Sequence, residues 1–135
     1  MRSKKKNPQF LQSPDTGKQH MFNSELEGNS FFWDGGKIGV LLLHGLTATT
    51  AEVRPLAKQF HDAGFTVSGV LLPGHGTTPE NLNETSRTEW IGASEKAYLE
   101  LKEKCSQIFV GGESAGALLA LHLASEDPEI KGLLL

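Results

Sequence analysis

The sequence has little of what secreted or membrane-spanning proteins need. Its 135 residues include one cysteine, Cys105, which excludes an internal disulfide framework and is expected to be a small packed residue. No apolar run reaches the length of a membrane span, so no stable membrane insertion is expected. The basic start MRSKKK is not followed by an apolar segment, so no secretory signal is predicted and the expected location is the cytoplasm.

The charge is also modest, and it is unevenly distributed. The formal net charge is −3, yet Arg2, four lysines and Asp15 leave the first 20 residues at +4. This excess is too small to indicate a nucleic-acid partner. Because residues 1–24 show no hydrophobic periodicity, we predict a disordered tail over 1–24 and a folded domain over 25–135.

Four apolar runs predict buried strands: IGVLLL (38–43), FTVSGVLL (65–72), QIFVGG (107–112) and IKGLLL (130–135). The first run does not alternate with polar residues, which indicates a strand covered on both faces. Helical patterns separate the runs, as in an α/β protein with a mostly parallel sheet flanked by helices. An additional strand in SFFW (30–33) is predicted to form a hairpin with the first run, through a tight turn at Asp34-Gly35-Gly36.

Three helices are predicted between the strands. The first begins near Arg54, keeps Pro55 in its first turn, and has four apolar residues at helical spacing: Val53, Leu56, Ala57 and Phe60. A capping box from Ser86 to Glu89 begins the second helix, which extends to about Lys104. The third, ALLALHLASE (117–126), ends near Asp127-Pro128, and PGHGTTPENLNET (73–85) is predicted to be a loop.

The pentapeptide Gly112-Glu113-Ser114-Ala115-Gly116 lies between a predicted strand and a predicted helix. A G-x-S-x-G pattern in that context is typical of a nucleophile elbow, in which a sharp turn exposes the serine hydroxyl at the carboxyl edge of the sheet. The glycines would be needed because side chains there would collide with the neighbouring strand and helix. The alternative is that Ser114 only caps the helix and that the glycines only allow close packing.

A serine nucleophile also needs two N–H donors for the oxyanion of the tetrahedral intermediate. One is expected from the residue after the nucleophile, which is Ala115. The other is expected from the loop after an earlier strand, where HGL (44–46) makes the N–H of Leu46 the best-placed candidate. We expect His44 to anchor that loop and not to take part in the chemistry.

Three motifs occur in the order found in the α/β-hydrolase family: the His-Gly loop (44–46), the Pro-Gly-His-Gly loop (73–76) and the elbow (112–116). From Gly36 to Leu135 the chain resembles small bacterial carboxylesterases and monoacylglycerol lipases, often labelled serine aminopeptidase S33. The resemblance implies Ser114 as nucleophile, Leu46 and Ala115 as oxyanion donors, and a structural role for His75. It also implies a carboxylic ester substrate and no metal or cofactor. The apolar elbow helix and Leu46 suggest that the acyl group of the ester is apolar.

The sequence departs from the family in the segment after the serine. The family's acid and base come later in the chain, in the order Ser, Asp, His. Only 21 residues come after Ser114, and they contain one histidine, His122, which lies about 12 Å further along the helix. Asp127 and Glu129 match neither family position. We therefore expect the N-terminal half of an α/β-hydrolase domain, incomplete at its C-terminus and with little or no turnover by itself.

This departure leaves two hypotheses open. The first is a carboxylic ester hydrolase of the carboxylesterase or acylglycerol lipase type, present as a fragment. The second is a non-catalytic half-fold that serves as a binding module, or as one chain of a two-chain assembly. In either case the apolar strand ending in Leu133, Leu134 and Leu135 is expected to need the missing half, or a partner, to cover the sheet edge.

Overall fold

The computed structural model describes Asn23 and residues 25–135, so the predicted tail lies outside the described residues except for Asn23. The strands in this part of the chain are β1 (Phe31–Trp33), β2 (Ile38–Leu43), β3 (Thr66–Val70), β4 (Gln107–Gly112) and β5 (Gly132–Leu134). The α-helices there are α1 (Arg54–Asp62), α2 (Pro79–Asn83), α3 (Arg87–Lys104) and α4 (Ala115–Glu126). A short 3-10 helix, Thr50–Glu52, precedes α1.

The five strands form one sheet in the order β1-β3-β2-β4-β5. β2, β3, β4 and β5 are parallel to one another where they pair, whereas β1 is antiparallel to β3. The mostly parallel sheet with flanking helices is therefore confirmed. In the register of β2 and β4, Leu43 pairs with Gly112, so the segments that follow these two strands leave the sheet side by side.

The predicted hairpin between β1 and β2 is wrong. β1 pairs with β3, with Phe32 opposite Ser68, while both edges of β2 are occupied by parallel partners. Gly35 and Gly36 do not adopt positive φ angles, and Gly36 N donates to Gly64 O at 2.7 Å. The Asp34-Gly35-Gly36 segment thus crosses beside the start of β3 instead of closing a tight turn.

β2 is apolar throughout because its side chains enter two separate cores. Val40 and Leu42 pack on the face covered by α1, with Val53, Ala57 and Val67. Leu41 and Leu43 pack on the face covered by α3 and α4, among buried residues that include Leu101, Val110 and Leu119. The prediction of a strand covered on both faces is confirmed, since each of these four β2 side chains is at most 2% exposed.

The helix signals were largely correct, with two exceptions. The capping box is present: Ser86 Oγ accepts from Glu89 N at 3.3 Å, and Glu89 Oε2 accepts from Ser86 N at 2.7 Å. The helix that it begins ends at Lys104, as predicted. However, Leu56 is 47% exposed and does not join the core. The predicted loop 73–85 contains the short helix α2, which is capped by Thr78.

Candidate active site

The turn between β4 and α4 holds Ser114 in an unusual backbone conformation. Its φ and ψ are 53° and −118°, and within the described part of the chain only Thr47 shares a positive φ among non-glycine residues. A non-glycine residue in such a region costs about 1–3 kcal/mol, which surrounding contacts have to offset. The side chain is exposed at the carboxyl edge of the sheet. This is the strained, exposed geometry that the G-x-S-x-G pattern predicts.

The two glycines of the pattern are required by close backbone contacts. A Cβ atom at Gly112 would overlap the Gly116 carbonyl, and a Cβ at Gly116 would overlap the Leu43 carbonyl. Gly116 therefore lets the first turn of α4 lie directly against the end of β2. The steric reason proposed from the sequence is confirmed for both positions.

The loop after β2 lies directly against the elbow. Glu113 N donates to Leu43 O at 3.1 Å, which ties the two segments together. A Cβ atom placed on Gly45 would be 3.3 Å from both Ser114 Cβ and Glu113 O. The loop then reverses at Thr47, whose φ is 67°, and Ala48 N donates to Gly45 O at 3.2 Å.

His44 is buried beneath this loop and fixes its course. His44 Nε2 accepts from Leu72 N at 3.0 Å, which leaves Nδ1 protonated to donate to Gly45 O at 2.8 Å. Desolvation by burial lowers the pKa of His44 from 6.5 to about 4. The imidazole is neutral at neutral pH and both nitrogens are engaged, so His44 has the anchoring role expected from the sequence.

The anchored Gly45 carbonyl also sets the direction of the next N–H. In a planar trans peptide the C=O of Gly45 and the N–H of Leu46 point in opposite directions. The carbonyl points inward to His44, so the Leu46 N–H points away from it. The Ala115 N–H lies in the first turn of α4, where a helix offers no internal acceptor. Neither N–H donates to a partner within the described residues, so both could donate to an external acceptor.

The Pro-Gly-His-Gly loop forms a buried support next to His44. The His75 ring is 3% exposed and makes edge contacts with the rings of His44 and Trp90, at centroid distances of 4.8 and 5.5 Å. Trp90 Nε1 donates to Pro73 O at 3.0 Å, and burial lowers the pKa of His75. These contacts agree with the structural role that the resemblance implies for His75.

His122 and Asp127, two titratable residues that follow Ser114, make their contacts elsewhere. His122 Nε2 lies 3.6 Å from Glu95 Oε1, on the side of α4 that meets α3. Asp127 accepts from Tyr98 at 2.8 Å and from Lys102 at 2.9 Å, and these hydrogen bonds help to lower its pKa to about 2. The side chains of His122 and Asp127 are thus both engaged in contacts with α3.

Glu52 is a feature of the site that sequence reasoning missed. Its Oε2 accepts from Gly45 N at 3.2 Å. A hydrogen bond with Glu52 and the charge of Glu52 raise the pKa of Glu113, the residue before Ser114. In the sequence, the only sign of this role is an acidic residue seven positions after Gly45. An acidic residue at such a place is typical of an exposed helix start.

Neither a metal cluster nor a bilayer-crossing helix occurs among the described residues. No group of three or more His, Cys, Asp or Glu side chains there could hold a metal ion. None of the helices in that same part of the chain combines the length and the apolar character needed to cross a bilayer.

The sequence and the fold both match a known family. The sequence model described as "Serine aminopeptidase, S33" matches residues 37–135. The chain therefore belongs to this family of α/β hydrolases. A solved structure of the metagenome-derived lipolytic enzymes LipS and LipT covers 80% of the chain at 35% identity, with a TM-score of 0.76, and the match spans 45% of that structure's chain. Est1E of Butyrivibrio proteoclasticus, solved with ferulic acid, shares the fold alone, at 17% identity and a TM-score of 0.64.

Two curated relatives are named for ester hydrolysis. The thermostable monoacylglycerol lipase of Bacillus sp. (strain H-257) is 43% identical over 103 residues, which are 76% of this chain and 41% of the lipase. The carboxylesterase of Bacillus subtilis (strain 168) is 38% identical over 104 residues, which are 76% of this chain and 42% of the esterase. The chain thus spans about two fifths of the length of these relatives.

Proposed function

We propose that this chain carries the nucleophile and the oxyanion donors of a serine hydrolase that acts on carboxylic esters. Ser114 is the nucleophile, and the N–H groups of Leu46 and Ala115 stabilise the oxyanion. The observation that carries the proposal is the strained backbone of Ser114, which exposes its hydroxyl beside the loop anchored by His44. A serine that only caps a helix needs no such strain, and Ser114 makes no side-chain capping hydrogen bond to α4.

The reaction would begin with attack of Ser114 Oγ on the ester carbonyl carbon. The carbonyl oxygen becomes an oxyanion between the Leu46 and Ala115 N–H groups, the alcohol leaves, and water then hydrolyses the acyl-enzyme. A base is needed to take the proton of Ser114 and pass it to the leaving alcohol, and an acidic residue is needed to orient that base. Both must come from polypeptide outside the described residues. Every histidine within them has other contacts: His44, His61, His75 and His122. By itself the 135-residue chain should show little or no turnover.

The relatives and the surroundings of Ser114 both support an ester substrate. Leu46 is 49% exposed at the loop beside Ser114, and it would offer an apolar contact to an acyl chain. The relatives named monoacylglycerol lipase and carboxylesterase support esters with an apolar acyl group. A series of p-nitrophenyl esters of increasing acyl length would define the preferred chain.

The first test is covalent trapping of Ser114. The protein as it occurs in the source cells is treated with a fluorophosphonate, which reacts with activated serines, and the labelled peptide is identified by mass spectrometry. We expect labelling at Ser114, none in Ser114→Ala, and unchanged labelling in Ser125→Ala, a matched change at an exposed hydroxyl of α4. Absence of label in the wild-type protein would contradict the proposal. Cell fractionation before labelling also tests the predicted cytoplasmic location.

A second candidate is one chain of a two-chain assembly, in which another polypeptide supplies the base. It is favoured by exposed leucines on α4 and at the end of β5, namely Leu118 at 68%, Leu134 at 40% and Leu135 at 67%. Apolar surface of this kind favours contact with another segment or chain. The intact mass of the native protein, compared with its mass under denaturing conditions, distinguishes a second chain from one longer chain.

A further inference from the structure

We infer that Glu52 is a positioning residue of this site. Its carboxylate holds the Gly45 N–H and so fixes the loop that presents the Leu46 N–H to the oxyanion. The inference rests on the proposed function, because the position of Leu46 N–H matters only if an oxyanion forms beside Ser114. Glu52 lies outside the three motifs of the sequence, which are at 44–46, 73–76 and 112–116.

Gly45 lies close to both Glu52 and the elbow. A Cβ atom placed on Gly45 would be 3.3 Å from Ser114 Cβ and 3.6 Å from Glu52 Oε1. Glu52 belongs to the 3-10 helix that follows the loop, and this helix is capped by Thr49, whose hydroxyl accepts from Ala51 N at 3.3 Å. The Glu52 carboxylate thus reaches Gly45 from a short helix whose first turn is held by the Thr49 cap.

Gly45 is held through both of its polar groups. Its carbonyl accepts from His44 Nδ1 and from Ala48 N, while its N–H donates to Glu52. Loss of the Glu52 bond would leave the glycine, which has a wide choice of backbone angles, held through its carbonyl alone. The peptide that carries the Leu46 N–H could then rotate, and an oxyanion donor acts only within about 2.7–3.1 Å of its target.

Glu52 also lies close to the elbow, since a Cβ atom on Gly45 would be 3.6 Å from Glu52 Oε1 and 3.3 Å from Glu113 O. The pKa of the Glu113 carboxyl is raised by a hydrogen bond and a charge interaction with Glu52. The Glu52 carboxylate thus holds the loop through Gly45 and lies near the elbow.

Three substitutions separate the hydrogen bond from the charge. Glu52→Gln keeps the reach and an acceptor oxygen, Glu52→Asp keeps the charge but withdraws it by one methylene, and Glu52→Ala removes both. Glu103→Ala, at an exposed position of α3, serves as the control. Amide hydrogen exchange is then measured in 15N-labelled protein. The Gly45 N–H should exchange about tenfold faster in Glu52→Ala and Glu52→Asp than in wild type or Glu52→Gln.

Kinetics of the intact protein give the second readout. We expect kcat for a p-nitrophenyl ester to fall about tenfold in Glu52→Ala and Glu52→Asp with KM nearly unchanged, because the loss affects the transition state. Glu52→Gln should stay within about threefold of wild type. A merely structural defect would lower the amount of folded enzyme, so kcat is calculated per mole of Ser114 labelled by the fluorophosphonate. Such a defect would not spare Glu52→Gln while Glu52→Asp loses activity.

The outcomes distinguish this inference from the proposed function. Gly45 exchange that is unaffected in Glu52→Ala, or an Asp variant that behaves as wild type while Gln fails, would overturn the inference. If Ser114 in wild type resists the fluorophosphonate but Gly45 exchange responds as expected, the nucleophile assignment fails and the hydrogen bond from Gly45 to Glu52 is supported. If Ser114 reacts normally and the Gly45 exchange and the kcat of Glu52→Ala match wild type, only the Glu52 inference fails.

Discussion

Acidification should destabilise the protein through His44, and the size of the effect follows from its burial. His44 is 0% exposed, and its pKa falls from 6.5 to about 4 on folding. Between these values the unfolded chain binds a proton that the folded protein excludes. The contribution is therefore fully present above about pH 6.5 and is lost as the pH falls toward about 4. The complete difference corresponds to about 3 kcal/mol of unfolding free energy, and the step from about pH 7 to about pH 4.5 corresponds to about 2 kcal/mol.

The assay is urea unfolding at the two pH values, followed by the fluorescence of the two tryptophans. The reference variant is His44→Gln, which cannot titrate but keeps an oxygen to accept from Leu72 N. Its unfolding free energy should fall by about 2 kcal/mol less than that of wild type over the same step. The carboxyl groups titrate in both proteins, so their contributions cancel in this difference. Because the His75 ring contacts His44, the comparison is repeated with His75→Gln in both proteins. Equal losses in the two proteins would refute the argument that burial keeps His44 neutral.

Three substitutions test local features of the backbone and of a helix cap, each by urea unfolding. Ser114→Gly should raise the unfolding free energy by about 1 kcal/mol, because glycine relieves the positive φ, and no gain over Ser114→Ala would show that the turn is not strained. Gly116→Ala should lower the unfolding free energy by about 2–3 kcal/mol, because the added Cβ overlaps the Leu43 carbonyl. Gly92→Ala is the control: its added Cβ meets nothing within 4 Å, so the unfolding free energy should rise slightly. Ser86→Ala should lower it by about 1 kcal/mol by removing the capping box of α3, and an unchanged midpoint would count against that box.

The parts of the fold that were predictable depend on interactions local in the sequence. The capping box of α3 lies within four residues, and the apolar run of β2 reports two covered faces directly. The partner of β1 was not predictable in this way. The Asp34-Gly35-Gly36 signal describes a turn, but the pairing depends on which edge of β2 is free, and β3 and β4 occupy both edges. The identity of sheet neighbours is decided by the whole set of strands.

The same distinction applies to the candidate site. The elbow was predictable because its glycines and Ser114 belong to one pentapeptide whose steric conflicts are local. Glu52 was not, since an acidic residue before a helix usually lies on a solvated surface. Its significance comes from the Gly45 N–H, which only the reversal at Thr47 brings within reach.

The central position of β2 also has a consequence for the order of folding. Its neighbours β3 and β4 both follow it in the chain, each separated from it by at least one helix. No short hairpin can therefore nucleate the middle of the sheet, and long loops must close before β2 is paired, which makes such topologies slow to fold. β2–β4 pairing brings the His44 loop and the Ser114 elbow together, so the contacts that hold the strained serine cannot form before these two strands pair.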